Sequence, residues 1–237
     1  MAVTNDSWRV APHHPLEALS ERVWRVEGTV VRTPLQRVMT IARRSDGGLV
    51  VHSAIAVDKP TLSAITALGD VKVIVVPNAF HRLDARVFHA RFPDAQVVCP
   101  PGARKAVEQV VPVGATYDGL PADPAVELQT LDGTKGREGV MIVRDADGTT
   151  LVFNDLVFNM PHVGGVQGFV LRHITGSSGG PRITRIAKLF LIHDRDAVRA
   201  HLERLAALPD LRRIIVSHHE VIDRAPGAVL AELARTL

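Results

Sequence analysis

The feature that most constrains this chain is an order of elements that occurs twice: strand-like runs closed by a glycine turn, then alternating helix and strand. Runs rich in Val and Ile come first, at 22–26, 36–43 and 48–53, with Ser45-Asp46-Gly47-Gly48 between the last two. Glycine accepts the positive φ that a tight hairpin needs, so this stretch predicts an antiparallel meander. A helix is expected over 59–68, with Leu62, Ile65 and Leu68 on one face, Asp58 as N-cap and Gly69 as terminator. The continuous apolar run 71–76 reads as a strand buried on both faces. Helix, strand and helix then follow over 82–91, 95–99 and 102–110.

The turn-rich stretch 112–124 separates this half from a second one. Strands are expected at 126–131, 138–144 and 149–153, with Ala146-Asp147-Gly148 as the hairpin turn. The glycine-rich segment 159–181 reads as an irregular loop, long enough to carry function. A helix at 182–191 and an amphipathic one at 194–208 follow, the latter with Val198, Leu202, Leu205 and Leu208 inward. A strand at 212–217 and a helix at 225–236 close the chain. Two mixed sheets packed face to face with helices outside satisfy this doubled order, so the expected class is α/β, a four-layer αββα sandwich. Residues 1–20 read as an irregular arm and 21–237 as one domain.

Composition narrows the function classes. A formal charge of +3, with acids and bases interspersed, gives no reason to expect a nucleic-acid partner. Cys99 is the only cysteine, so no intrachain disulfide forms, and a thiol after Val97-Val98 packs as a small apolar group. No run reaches the length of a membrane span and the first residues carry no apolar core of signal-peptide length. The expectation is a cytoplasmic protein with no membrane partner that acts on a small molecule.

Ligand-type residues collect at three strand ends, where loops of an open sheet build sites. After 71–76 the chain reads Pro77-Asn78-Ala79-Phe80-His81-Arg82-Leu83-Asp84, which offers His81 and, three residues on, Asp84; Asn78 or His81 could equally cap the helix. After 149–153 it reads Asn154-Asp155-Leu156-Val157-Phe158, where a carboxylate among apolar neighbours must be paired or bound. After 212–217 it reads His218-His219-Glu220, and one of two adjacent histidines points away from any shared site. Imidazole and carboxylate together suit zinc, iron or manganese.

These segments resemble the metallo-β-lactamase superfamily over nearly the whole chain, from about Val23 to Ile222, with a set of segments similar to an uncharacterised branch of it. The resemblance implies the αββα sandwich. In that superfamily the first junction carries His-x-His-x-Asp-His; here Asn78 and Phe80 fall where the first two histidines belong, and His81 fits with a one-residue shift. Gly133-Thr134-Lys135-Gly136 lacks the next histidine. Asn154-Asp155-Leu156-Val157-Phe158 matches the segment whose Asp bridges two metals, and Ser217-His218-His219 matches the last motif and selects His218. The implied function is a hydrolase-like protein with a reduced, single-metal site: one Zn2+ (or Fe or Mn) on His81, Asp155 and His218, acting on an ester, amide or phosphoester. The alternative is a non-catalytic, metal-free member that binds a small molecule or a protein.

Other positions carry weaker signals. His162 and His173, in the glycine-rich loop, are candidate substrate-binding residues. Gly176-Ser177-Ser178-Gly179-Gly180 matches the nucleophile-elbow pattern but lacks the strand before it and helix after it. His52 is expected to make a structural hydrogen bond and His13-His14 to be a surface pair. Arg182, Arg185 and Lys188 form a basic face.

Overall fold

The fold is taken from a computed structural model that describes residues 4–30, 33 and 35–237; residues 1–3 of the expected arm lie outside these. The first sheet runs in sequence order: β1 (Glu17–Ala18), β2 (Val23–Thr29), β3 (Gln36–Arg43), β4 (Leu49–His52), β5 (Val71–Val75), β6 (Gln96–Cys99) and β7 (Ala115–Thr116). It is antiparallel from β1 to β4 and parallel from β4 to β7. The second sheet repeats the scheme with fewer strands. β8 (Val126–Thr130), β9 (Gly139–Asp145) and β10 (Gly148–Phe153) form the meander, and β13 (Leu211–Val216) lies parallel to β10. Gly47 and Gly148 adopt φ of 83° and 121°, the hairpin conformations that their neighbours in the sequence imply.

Strand alternation builds the layers. Val38, Val50, Val73 and Val75 of the first sheet meet Met141, Val143, Val152 and Ile215 of the second. Residues of opposite parity, such as Ile41, Leu49, Val51 and Ile74, face outward onto α1 (Lys59–Leu68) and α2 (Ala85–Arg91) through Ile65 and Phe88. Ile142, Leu151 and Ile214 face outward from the second sheet onto α5 (Arg195–Ala206) and α6 (Pro226–Arg235). This is the αββα order expected. Asp58 caps α1 by accepting from the Thr61 backbone N at 2.9 Å, and Asp194 caps α5 in the same way through Ala197.

Several local expectations need correction. The arm is tied down: β1 pairs with β2, and the Trp8 indole donates to the Val57 carbonyl. His13 is no surface residue, for its ring accepts the Asp58 backbone N–H at 3.0 Å with only 5% of its side chain exposed. The helix expected from 82 begins at Ala85, because Asp84 is drawn inward by a buried ion pair with Arg37. The helix expected over 102–110 shrinks to a 3₁₀ turn at Pro101–Ala103 and α3 (Arg104–Val107), with the free Gly102 N–H of its first turn donating to the Gly136 carbonyl. Segment 159–181 is structured: β11 (Phe158–Met160), α4 (Gly165–Phe169) with a wider helical turn at Val170–Ile174, and β12 (Gly180–Arg182), which pairs with β11. That pairing also removes residues 182–184 from the helix expected there, leaving a turn at Ala187–Leu191. Leu208 lies beyond the end of α5 but still packs against the core of the second sheet, and His201 joins the buried residues of the helix.

Candidate metal centre

The two parallel strands of the second sheet position Asp155 and His218. Phe153 pairs with Val216, so Asp155 and His218 each follow two residues past a paired strand end. The Val38 backbone N donates to the Ser217 carbonyl at 2.9 Å and closes the first sheet against this edge. β5 delivers His81 across the gap. The Asn78 carboxamide oxygen accepts from the backbone N of Phe80 (2.8 Å) and of His81 (3.0 Å), which folds the loop so that His81 turns back over the sheet edge. Asn78 therefore caps this turn and not α2.

Three atoms converge. His81 Nε2 is 3.1 Å from Asp155 Oδ1, His218 Nε2 is 3.2 Å from the same oxygen, and the two Nε2 atoms are 3.2 Å apart. His218 Nδ1 lies 2.8 Å from the Gln36 carbonyl, which can only accept, so Nδ1 carries a proton and Nε2 is the atom turned to Asp155. A proton on each Nε2 would serve these contacts as imidazolium–carboxylate pairs, and a divalent ion would serve them in the protons' place. A triangle of these edges is one face of a tetrahedron with corners about 1.9–2.0 Å from its centre, close to the ~2.0–2.2 Å of zinc–nitrogen and zinc–oxygen bonds. The donor set is one that could hold a divalent ion.

Outer contacts hold each ligand. The Ser53 hydroxyl is 3.0 Å from His81 Nδ1, and Ser53 adopts φ of 57° while its backbone N donates to the Val75 carbonyl. The Phe158 ring stacks on His218 with centroids 4.6 Å apart. Asp155 Oδ2 accepts from the Asn78 amide at 2.6 Å, which fixes the carboxylate plane. The same amide donates to Glu138 Oε2 at 3.2 Å, and Glu138 Oε1 accepts from the Leu156 backbone N at 2.6 Å. Burial works to raise the Asp155 pKa, but the His81 and His218 imidazoles outweigh it and hold the group well below the carboxylate range. Glu138, fully buried, is pushed up to about 8, by burial first and by the Asp155 charge second.

No family profile matches the sequence, and no curated protein does. Solved structures do. The metallo-β-lactamase FIM-1 from Pseudomonas aeruginosa, in its mono-zinc form, superposes with a TM-score of 0.60 at 13% identity, over 96% of each chain. A metallo-β-lactamase from Pontibacter korlensis gives 0.59 at 14%, over 94% of this chain and 99% of that one. One from Erythrobacter litoralis gives 0.61 at 12%, over 94% and 96%. The chain has the metallo-β-lactamase fold. Within that fold the corner described above is built from the strand ends of both sheets, and among the described residues no second set of three His, Cys, Asp or Glu ligands converges.

His81, Asp155 and His218 thus come together, and other candidates do not join them. Asp84 accepts from Arg37, from the Ala56 backbone N and from Asn5, which places it in the wall behind the loop rather than in the cleft. His219 adopts φ of 68° and turns its Nδ1 to the Gln36 side chain at 3.0 Å. His162 lies 3.1 Å from the Ser178 hydroxyl, and His173 packs against Phe169. Ser178 is fully buried and the segment runs into β12, so the Gly-x-Ser-x-Gly match makes no elbow. His52 makes no hydrogen bond among the described residues; its ring is wholly buried with its pKa lowered to about 3, by burial first and His81 second. Cys99 is buried as expected, and burial raises its thiol to about 11. Glu138 escaped notice because it stands at the head of an apolar strand; its one signal is a carboxylate directly before Gly-Val-Met-Ile-Val.

Proposed function

We propose that this corner holds one divalent ion, with Zn2+ the best match to two imidazoles and a carboxylate, and that the protein is a metal-dependent hydrolase of a small ester, amide or phosphoester. The observation that supports this most is the convergence of His81 Nε2, Asp155 Oδ1 and His218 Nε2 within 3.2 Å of one another, with the His218 ring oriented by the Gln36 carbonyl. A bound divalent ion supplies water activation and polarisation of a carbonyl or phosphoryl oxygen. The chain's residues do the rest. Ser53 and the Gln36 carbonyl fix the two imidazole planes, Asn78 orients the Asp155 carboxylate, and Phe158 covers one face of His218. FIM-1, crystallised with a single zinc, is a protein of this fold with that occupancy.

The test is hydrolysis over a panel of aryl esters, anilides and phosphodiesters by the zinc-loaded chain. Turnover that His218→Ala and Asp155→Ala both abolish supports the reading. Zinc-loaded protein without turnover on any of the panel overturns the catalytic part of it.

A further inference from the structure

From Leu156 through His193 the chain contains no Asp or Glu, whereas Arg172, Arg182, Arg185 and Lys188 give it four positive charges; the remainder of the chain carries a formal −1. The same excursion holds seven of the nine large apolar side chains exposed among the described residues. Val166, Phe169 and Ile174 recur at helical spacing and are 82%, 60% and 61% exposed. Ile186, Leu189 and Phe190 repeat that pattern on the next helical turn, whose other side, Ala187, Leu191 and Ile192, is buried in the core of the second sheet. Both stripes therefore point away from the protein. They are fastened to each other: Arg185 donates through Nη1 to the His173 carbonyl at 2.6 Å, and its backbone N donates to the Thr175 carbonyl.

The cations keep their charge available. Arg182 donates to the Gly179 carbonyl, Arg185 to that of His173 and Lys188 to that of Thr236, all neutral acceptors. Apolar stripes rimmed by uncompensated cations match a surface that is apolar inside and anionic at its face. A second copy of the chain fits poorly, because an isologous contact would set these same cations against each other.

We propose that this excursion docks the protein on an anionic lipid surface, with Phe169, Ile174, Leu189 and Phe190 entering the acyl boundary and the cations at the headgroups. The expectation of no membrane partner rested on the lack of a spanning stretch; among the described residues no helix is long and apolar enough to cross a membrane, and interfacial docking needs none. The proposal is independent of the metal reading.

Co-sedimentation of the full chain with phosphatidylcholine vesicles, with and without about one-third phosphatidylglycerol, tests it. Binding is expected on the mixed vesicles, about tenfold weaker or more on phosphatidylcholine alone, and reduced by salt. The double substitution Phe169→Asp and Phe190→Asp, at exposed positions that leave the melting temperature in place, should weaken it by more than about tenfold. No binding to the mixed vesicles at low salt overturns the proposal. So does binding that the double substitution leaves unchanged, which would be adsorption by charge alone. A dimer in light scattering that the double substitution dissociates, without vesicle binding, would assign the face to a second copy instead.

Discussion

The two halves of the sandwich build the same corner by different means. In the second half, Asp155 and His218 follow neighbouring parallel strands in fixed register, so the sheet itself sets their separation. In the first half, His81 lies in a loop and owes its position to hydrogen bonds with the side chains of Asn78, which accepts from its backbone N, and Ser53. A ligand placed by a sheet is held by many backbone bonds shared with the core. A ligand placed by a loop depends on one or two polar contacts, and these are the weak points of the centre.

Removing a ligand should have the largest effect. Asp155→Ala and His218→Ala are each expected to weaken zinc by about a thousandfold, or ~4 kcal/mol, in a competition titration with a chromophoric chelator. A loss under tenfold would show that the second half does not anchor the ion. Asp84→Ala should separate folding from binding on the first half. It strips the partner from a buried Arg37 and should cost about 3 kcal/mol in denaturant unfolding while zinc affinity stays within about threefold. Equal losses of both would place Asp84 in the site after all.

Asn78→Ala breaks the loop's hold on His81 and frees Asp155 Oδ2, and should weaken zinc about 10- to 100-fold by the same titration. Acidification acts on both halves through His52 and His219, whose pKa values are lowered to about 3 and about 4, by burial first and then by His81 and His218 respectively. Their folded values lie below the unfolded one, so their contribution is present above about pH 6.5 and is lost as pH falls. By pH 5.5 the loss should reach about 1 kcal/mol for each ring; Glu138, protonated in the fold up to about pH 8, opposes it by roughly the same amount, so His219→Gln should remove most of the net slope in denaturant midpoints across pH. The smallest effect belongs to Ser53→Ala, expected to weaken zinc by about tenfold or less, because the ring keeps its packing.

The same contrast explains what could be read from the sequence. Asp155 and His218 were legible because a ligand-type residue just after an apolar strand has one edge of the sheet to occupy. His81 was visible only as a candidate one residue out of place; nothing in Pro77-Asn78-Ala79-Phe80-His81 says that the Asn78 side chain folds the loop and carries the imidazole across. Asp84 misled because three-residue spacing implies a shared face only once a helix has begun, and α2 begins one residue later. Glu138 and Asn78 interact across sixty residues of sequence, beyond the reach of local pattern. In segment 159–181 helical spacing was present, but periodicity defines a stripe and not the side that faces the core, and here the stripe faces solvent.

Metal stoichiometry tests the central claim most directly. The untagged chain, stripped with chelator, incubated with excess Zn2+ and desalted, should retain one zinc per chain by elemental analysis, and His81→Ala should retain none. No zinc on the unaltered chain, or one zinc retained by His81→Ala, would contradict a single ion held jointly by the loop of the first half and the sheet edge of the second.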